Sequence, residues 1–283
     1  MTVLEGIQKS ADFLARKGVE PARLQAELLL AHLLKLPRMK LYLNFERALT
    51  PAETDGLREL VRRRAQREPL QHITGSTSFC GFEIAVNRHV LIPRPETELL
   101  AEAGWNFLLP LDLPASTALD FGTGSGCLAI ALALKSPGTQ VYAVDVSADA
   151  LTLARQNAAR HELTERIQFF EGDGFAALPK EIHFNLIVSN PPYIPSAEIE
   201  TLEPEVRDYD PRGALDGGTD GLDFYHRLAL ETGAFLKPGG KLMLEFGEGQ
   251  AEAIRKIFEN QKWVVEAIQP DYTRRERILI ARR

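Results

Sequence analysis

At 283 residues, with 45% hydrophobic and 25% charged side chains, the chain has the composition of an average globular protein and exceeds the usual size of one domain, so a large domain with a smaller companion is expected. A formal net charge of −6 argues against a broad electrostatic grip on nucleic acid and favours a protein or small-molecule substrate. No apolar stretch approaches the ~20 residues of a membrane span, no leader-like segment opens the chain, and Cys80 and Cys127 show no metal-ligand spacing; a cytoplasmic protein without membrane or metal is expected.

Val3, Leu4, Ile7, Ala11 and Leu14 recur at helical spacing before Gly18, which predicts a first helix. Pro21 opens a second. It is apolar on more than one face through Leu24, Leu28, Ala31 and Leu34 and ends at Pro37, as suits the central member of a small bundle. A short third helix is predicted around Met39 to Leu43. Thr50-Pro51-Ala52-Glu53 reads as N-cap, first-turn proline and capping-box glutamate of a longer helix that runs to about Glu68, ahead of Pro69. Leu57, Leu60 and Val61 make its apolar side. Arg62, Arg63, Arg64 and Arg67 are expected on its solvated side, with Arg58 and Arg62 on a strip suited to acidic groups of a protein partner. Residues 1–72 are thus expected to form a helical domain.

From 73 to 94 the pattern turns to alternation, with Phe79, Phe82, Ile84, Val86, Val90 and Ile92 separated by Gly75, Gly81 and Asn87, which predicts a β-hairpin linker. Glu96 and Glu98 are expected in the first turn of the helix that follows, with Trp105 and Phe107 as core. Residues 95–283 alternate helices with short apolar strands, the pattern of a doubly wound, mostly parallel α/β sheet. Strands are expected at about 117–121, 140–145, 167–171, 184–189 and 241–246. Two more, near 263–268 and 277–281, are expected as an antiparallel edge pair.

The run Asp120-Phe121-Gly122-Thr123-Gly124-Ser125-Gly126 lies where an apolar strand ends and a helix begins. Glycines there let the backbone turn sharply and lie against a ligand, so Gly122, Thr123, Gly124, Ser125 and Gly126 are read as a cofactor-binding loop. The dinucleotide fingerprint needs its third glycine where Cys127 stands, which makes NAD the weaker choice, and no Walker-type Gly-Lys-Ser/Thr follows. The next strand ends in Asp145, about 20 residues after the loop, where a carboxylate accepts ribose hydroxyls. The alternative is a turn serving packing alone, with Asp145 as an N-cap. Asp173 and Gly174 are candidates for the adenine edge and Phe175 for its face; an ordinary Asp-Gly turn is the other reading.

Leu186 to Ser189 is a buried-strand pattern that runs directly into Asn190-Pro191-Pro192-Tyr193. In a doubly wound sheet this segment faces the glycine loop. Adjacent prolines stiffen the backbone and leave carbonyl acceptors. A planar NH2 is a poor nucleophile because its lone pair is delocalised. The Asn190 side-chain oxygen and the Pro191 carbonyl can each accept one of its N–H groups and favour an electron-rich nitrogen as attack proceeds, while Tyr193 packs on the planar group. Asn190, Pro191 and Tyr193 are therefore the candidate catalytic residues, and Asn190, Pro191, Pro192 and Tyr193 the candidate substrate site.

With Glu68-Pro69-Leu70-Gln71-His72-Ile73-Thr74-Gly75, Arg94-Pro95-Glu96-Thr97-Glu98 and Leu215-Asp216-Gly217-Gly218, these motifs resemble, in order and over nearly the whole chain, the release-factor glutamine methyltransferases, also called HemK or PrmC. The resemblance implies a helical N-terminal domain joined through a hairpin to a seven-stranded, Rossmann-like class I methyltransferase domain. It implies S-adenosyl-L-methionine as cofactor, with S-adenosyl-L-homocysteine as product, held by Gly122, Gly124, Gly126, Asp145, Asp173 or Gly174, and Asn190. The implied substrate is the glutamine of the Gly-Gly-Gln motif in class I peptide chain release factors; a monomer without direct nucleic-acid contact is expected. Asn-Pro-Pro-Tyr also marks nucleic-acid amino-methyltransferases, so the tetrapeptide alone does not choose the substrate; the Arg94-to-Glu98 run favours the release factor over a ribosomal-protein glutamine. A cofactor-binding module without catalysis is the rival of another class.

Overall fold

The computed structural model describes residues 1–111 and 116–283. The chain divides into two compact units, one comprising 1–76 with 203–209 and the other 77–202 with 210–283. The expected boundary after 72 thus moves to 76. The hairpin from Thr77 onward belongs to the larger unit, and a short segment from the second half of the chain joins the smaller one.

The smaller unit contains helices Val3–Arg16, Ala22–Leu34, Arg38–Tyr42, Pro51–Ala65 and Leu70–Thr74. Ile7, Leu14, Leu29, Leu30, Leu41, Leu57 and Ile73 are buried between them. Thr50 caps as expected: its hydroxyl accepts from the Glu53 N–H at 3.2 Å, and Glu53 Oε2 accepts from the Thr50 N–H at 2.9 Å. That helix ends at Ala65 rather than near Glu68, because Arg67 takes a left-handed φ of 68°.

The arginine run needs a second correction. Arg62 is exposed and paired with Glu59, and Arg58 with Asp55, as a solvated face requires. Arg64, however, stands one turn beyond Val61 on the same stripe as Leu57 and is buried at 4% exposure. Its stem belongs to the core, so its guanidinium must find acceptors there. Nη2 donates to Glu205 Oε1 at 2.7 Å and Nε to Gln25 Oε1 at 3.0 Å. Arg67 adds Glu205 and Glu203, at 2.7 and 2.8 Å. Two arginines expected in solvent thus hold segment 203–209.

In the larger unit, β1 (Ser76–Phe79) and β2 (Phe82–Ala85) form the hairpin, turning at Cys80-Gly81, both at positive φ. Seven strands make the sheet: β3 (Ser116–Phe121), β4 (Thr139–Asp145), β5 (Ile167–Glu171), β6 (Phe184–Ser189), β7 (Leu236–Glu245), β8 (Val264–Pro270) and β9 (Glu276–Arg282). Their spatial order is β5-β4-β3-β6-β7-β9-β8. β3 to β7 are parallel, and β9 pairs antiparallel with both β7 and β8. β7 begins earlier than the sequence suggests. Leu236 pairs with Phe184, and an irregularity absorbs the Lys-Pro-Gly-Gly run before Lys241 pairs with Leu186.

One face of the sheet is covered by the hairpin and helices Pro95–Leu108, Cys127–Lys135 and Ala148–Arg160; the other by helices Asp223–Glu231 and Ala251–Asn260. Cys127–Lys135 is buried almost all round, as its unbroken apolar sequence requires. The chain leaves β3 outward through β4 and β5, then returns to β6 on the other side of β3. Ligands bind at such a reversal, beyond the carboxyl ends of the strands.

Candidate active site

A cavity of about 240 Å³ opens at that reversal, walled by the loop after β3, the end of β4, the turn after β5 and the segment after β6. Gly122 and Gly124 have φ of 76° and 54°, where a side chain is strained. A Cβ added to either meets nothing within 4 Å. Both line the cavity, so the loop gives a ligand bare backbone on that side. Gly122 and Thr123 donate backbone N–H groups to Val144 O at 2.9 and 3.0 Å, fixing the loop against the end of β4.

Asp145 closes the arrangement. Its Oδ2 accepts from the Gly124 N–H at 2.8 Å and its Oδ1 from the Ser147 N–H at 2.9 Å. Each carboxylate oxygen accepts more than one bond, so the group still serves a diol. Beneath the loop, Asp120 is wholly buried; its Oδ2 accepts from Thr123 Oγ1 at 2.6 Å and from the Ala129 N–H at 3.1 Å, while Oδ1 has no partner. Burial pushes its carboxyl up to about 7, against those two hydrogen bonds.

Gly126 and Phe175 take other places than expected. Gly126, at φ 81°, caps helix Cys127–Lys135 and faces Ala154, whose Cβ would lie 3.2 Å from an added Cβ; it is not a cavity wall. Phe175 is 4% exposed and stacked on Phe235 at 4.6 Å, because the short helical turn after Asp173 points it into the core. Asp173 and Gly174 do line the cavity. The Asp173 carboxylate pairs with Arg227, whose guanidinium lies 5.9 Å over the Phe121 ring.

The segment after β6 is fixed from several sides. Ser189 Oγ donates to Phe121 O at 2.6 Å, tying the end of β6 to that of β3. Ile194 N–H donates to Leu215 O at 3.0 Å and Gly217 N–H to Ile194 O at 2.9 Å; a Cβ at Gly217 would stand 2.8 Å from Pro192 O. Asn190 and Pro192 line the cavity, and Asn190 Nδ2 donates to Thr97 Oγ1 at 3.0 Å. Pro191 is buried. The Tyr193 ring packs against the core rather than lining the cavity, and burial pushes its phenol up to about 12.

Residues 5–75 match the PrmC N-terminal domain family and 101–202 the Methyltransferase small domain family. The chain is 48% identical over 257 residues to a release factor glutamine methyltransferase of Geobacter sulfurreducens, covering 91% of this chain and 88% of that one. A protein of the same name from Chlorobaculum tepidum is 43% identical over 282 residues, covering 98% and 95%. The chain belongs to the release factor glutamine methyltransferase family. A solved methyltransferase from Pyrococcus furiosus, 22% identical over 78% of this chain and 97% of its own, shares the fold with a TM-score of 0.54.

As a member of that family, the protein is an S-adenosyl-L-methionine-dependent methyltransferase. Further groups of this methyltransferase line the cavity: Arg94 and Thr97, whose run carried the resemblance without a role for either, and Arg227, which no local pattern marks; the Arg94 Nη2 donates to buried Asp210 at 2.6 Å. Asp120, beneath the loop, and Glu245, at the end of β7, are buried acidic groups nearby. Both share a visible signal with Asp145, an acidic residue in the last two positions of an apolar strand. Among the described residues no group of three or more His, Cys, Asp or Glu is placed to hold a metal ion.

Proposed function

We propose that this enzyme methylates the side-chain amide nitrogen of the glutamine in the Gly-Gly-Gln motif of class I peptide chain release factors. The family's shared activity is the methylation of release-factor glutamine. What carries the finer assignment is the Asn190 amide, a cavity wall whose NH2 is engaged by Thr97, which leaves its oxygen for an incoming N–H.

The residues present fit the cofactor. Gly122 and Gly124 leave open space where side chains would intrude, Asp145 keeps acceptor capacity for a ribose diol, and Asp173 and Gly174, which line the same cavity, are assigned to the adenine. Bound S-adenosyl-L-methionine supplies a methyl group made electrophilic by its sulfonium. Asn190 Oδ1 and the Pro191 carbonyl are assigned as the two acceptors of the substrate NH2, orienting its nitrogen and stabilising charge as the lone pair leaves conjugation. The methylated nitrogen becomes acidic and releases its proton without a strong base beforehand. Tyr193 is assigned to support the segment from behind, its carbonyl accepting from Gln250 Nε2 at 2.9 Å.

Such a substrate places the work in the cytoplasm, and no described helix is long and apolar enough to cross a membrane. The enzyme is taken to act as a monomer on its protein partner. Asn190→Ala is expected to abolish methylation of a full-length release factor while leaving cofactor affinity within about tenfold. Full activity in that variant would remove Asn190 from the mechanism.

A further inference from the structure

Glu245 ends β7 beside the Asn190 segment. Because Ser189 pairs with Leu244 in parallel register, Asn190 and Glu245 are the next residues of adjacent strands. The Glu245 side chain is 2% exposed and its Oε2 has no hydrogen-bond partner. Thr97, 3% exposed, and Asn190 are the uncharged side chains that stand near enough to this carboxylate to favour its ionised form. The strand end itself is held, since the Tyr225 hydroxyl donates to Glu245 O at 2.8 Å. A buried carboxylate without a hydrogen-bonded counter-ion is costly, and such groups cluster at functional sites.

We propose that Glu245 is a positioning residue for methyl transfer: as the acceptor-only end of the chain Asn190 to Thr97 to Glu245, it fixes the direction of every hydrogen bond in that chain and so turns the Asn190 amide oxygen toward the substrate. An ionised carboxylate cannot donate. The Thr97 hydroxyl has one proton, which we assign to Glu245. Thr97 Oγ1 is then left as an acceptor, which is the role it plays toward Asn190 Nδ2 at 3.0 Å. With its NH2 drawn inward, Asn190 presents oxygen to the cavity. If Glu245 is neutral, the hydroxyl is free to donate to the Asn190 oxygen instead, and the exposed NH2 then meets the substrate NH2 as donor against donor. This role rests on Asn190 accepting the substrate amide.

The charged and titratable groups around Glu245 are Glu96, Arg277, Tyr193 and Tyr225. Glu96 opposes its ionisation and Arg277 favours it. Arg277 is committed elsewhere, donating to Asp271 Oδ2 at 3.2 Å and to Phe246 O at 3.3 Å. Burial is the main cause that holds the carboxyl up to about 7, so its titration falls in an accessible range.

The test compares wild type with Glu245→Gln, Thr97→Val and Thr97→Ser, using a full-length release factor and S-adenosyl-L-methionine. Glu245→Gln and Thr97→Val are expected to lower kcat by roughly 10- to 100-fold with KM and cofactor affinity nearly unchanged, while Thr97→Ser, which keeps the hydroxyl, stays within about threefold. The wild-type kcat should fall on the acid side of about pH 7, and that limb should vanish in Glu245→Gln. A readout independent of turnover is the side-chain NH2 resonance of Asn190, identified by its loss in Asn190→Ala. It should titrate with a midpoint near 7 in wild type and not in Glu245→Gln. Wild-type kcat and an unchanged acid limb in Glu245→Gln, or an Asn190 resonance that does not titrate in wild type, overturns the proposal. If Asn190→Ala also keeps activity, the substrate-acceptor assignment has failed; if Asn190→Ala is inactive while Glu245→Gln is normal, only the role of Glu245 has failed. Should Glu245→Gln not fold, Thr97→Val against Thr97→Ser decides, since equal kcat in those two removes the chain.

Discussion

The charge on Glu245 carries a stability cost that can be measured. Burial raises its carboxyl from the ordinary 4.5 to about 7. The folded state therefore holds this proton more tightly than the unfolded chain. Its favourable contribution is complete below pH 4.5 and is lost as pH rises through about 7. At about 1.4 kcal/mol per pKa unit, that interval corresponds to roughly 3 kcal/mol. Glu245→Gln keeps the shape and removes the titration, so the variant should gain on wild type by about that amount between acid and mildly alkaline pH. For a domain of this size this is on the order of 5–10 °C in Tm. The assay is thermal unfolding of both proteins across the range, reading the difference in Tm at each pH, where groups common to both proteins cancel. The expected difference grows as pH rises through 7. Parallel Tm curves would show that Glu245 does not titrate in that window and would refute the buried ionised carboxylate.

Asp145→Ala removes acceptors from the Gly124 and Ser147 N–H groups together with the diol partner, and should weaken cofactor binding by roughly 100-fold in calorimetry, two charge-assisted bonds being worth about 3 kcal/mol. Affinity within threefold of wild type would remove Asp145 from the site. Gly126→Ala should cost about 1–2 kcal/mol of stability by denaturant titration, from the left-handed backbone and the approach to Ala154. Gly122→Ala and Gly124→Ala carry a similar left-handed backbone cost but should in addition lower cofactor affinity, because their Cβ atoms project into the open side of the loop. The reverse pattern would contradict the division of roles among the three glycines.

Features written in local pattern were legible in the sequence. β5 and β6 have the expected ends, and Thr50 and Glu53 cap as their spacing predicts, since each depends on residues a few positions apart. The glycine loop, Asp145 and Asn190 were legible for the same reason: each sits at the carboxyl end of an apolar strand, and parallel strands bring those ends together. What escaped depends on distant partners. Arg64 looked solvated because its acceptor Glu205 lies 141 residues away. Phe175 looked free because the ring it stacks on, Phe235, comes from the far side of β6 in sequence. Glu245 falls inside the expected strand 241–246 with nothing local to single it out, and only the register of β6 against β7, with Thr97 arriving from a third element, joins it to Asn190.

Transfer of labelled methyl from S-adenosyl-L-methionine to a full-length class I release factor tests the assigned chemistry most directly, run beside the same factor with its Gly-Gly-Gln glutamine replaced, a ribosomal protein and DNA. Label is expected on the intact factor alone. Label that survives replacement of the glutamine, or that appears instead on the ribosomal protein or DNA, contradicts the assignment of the Asn190 site to that amide.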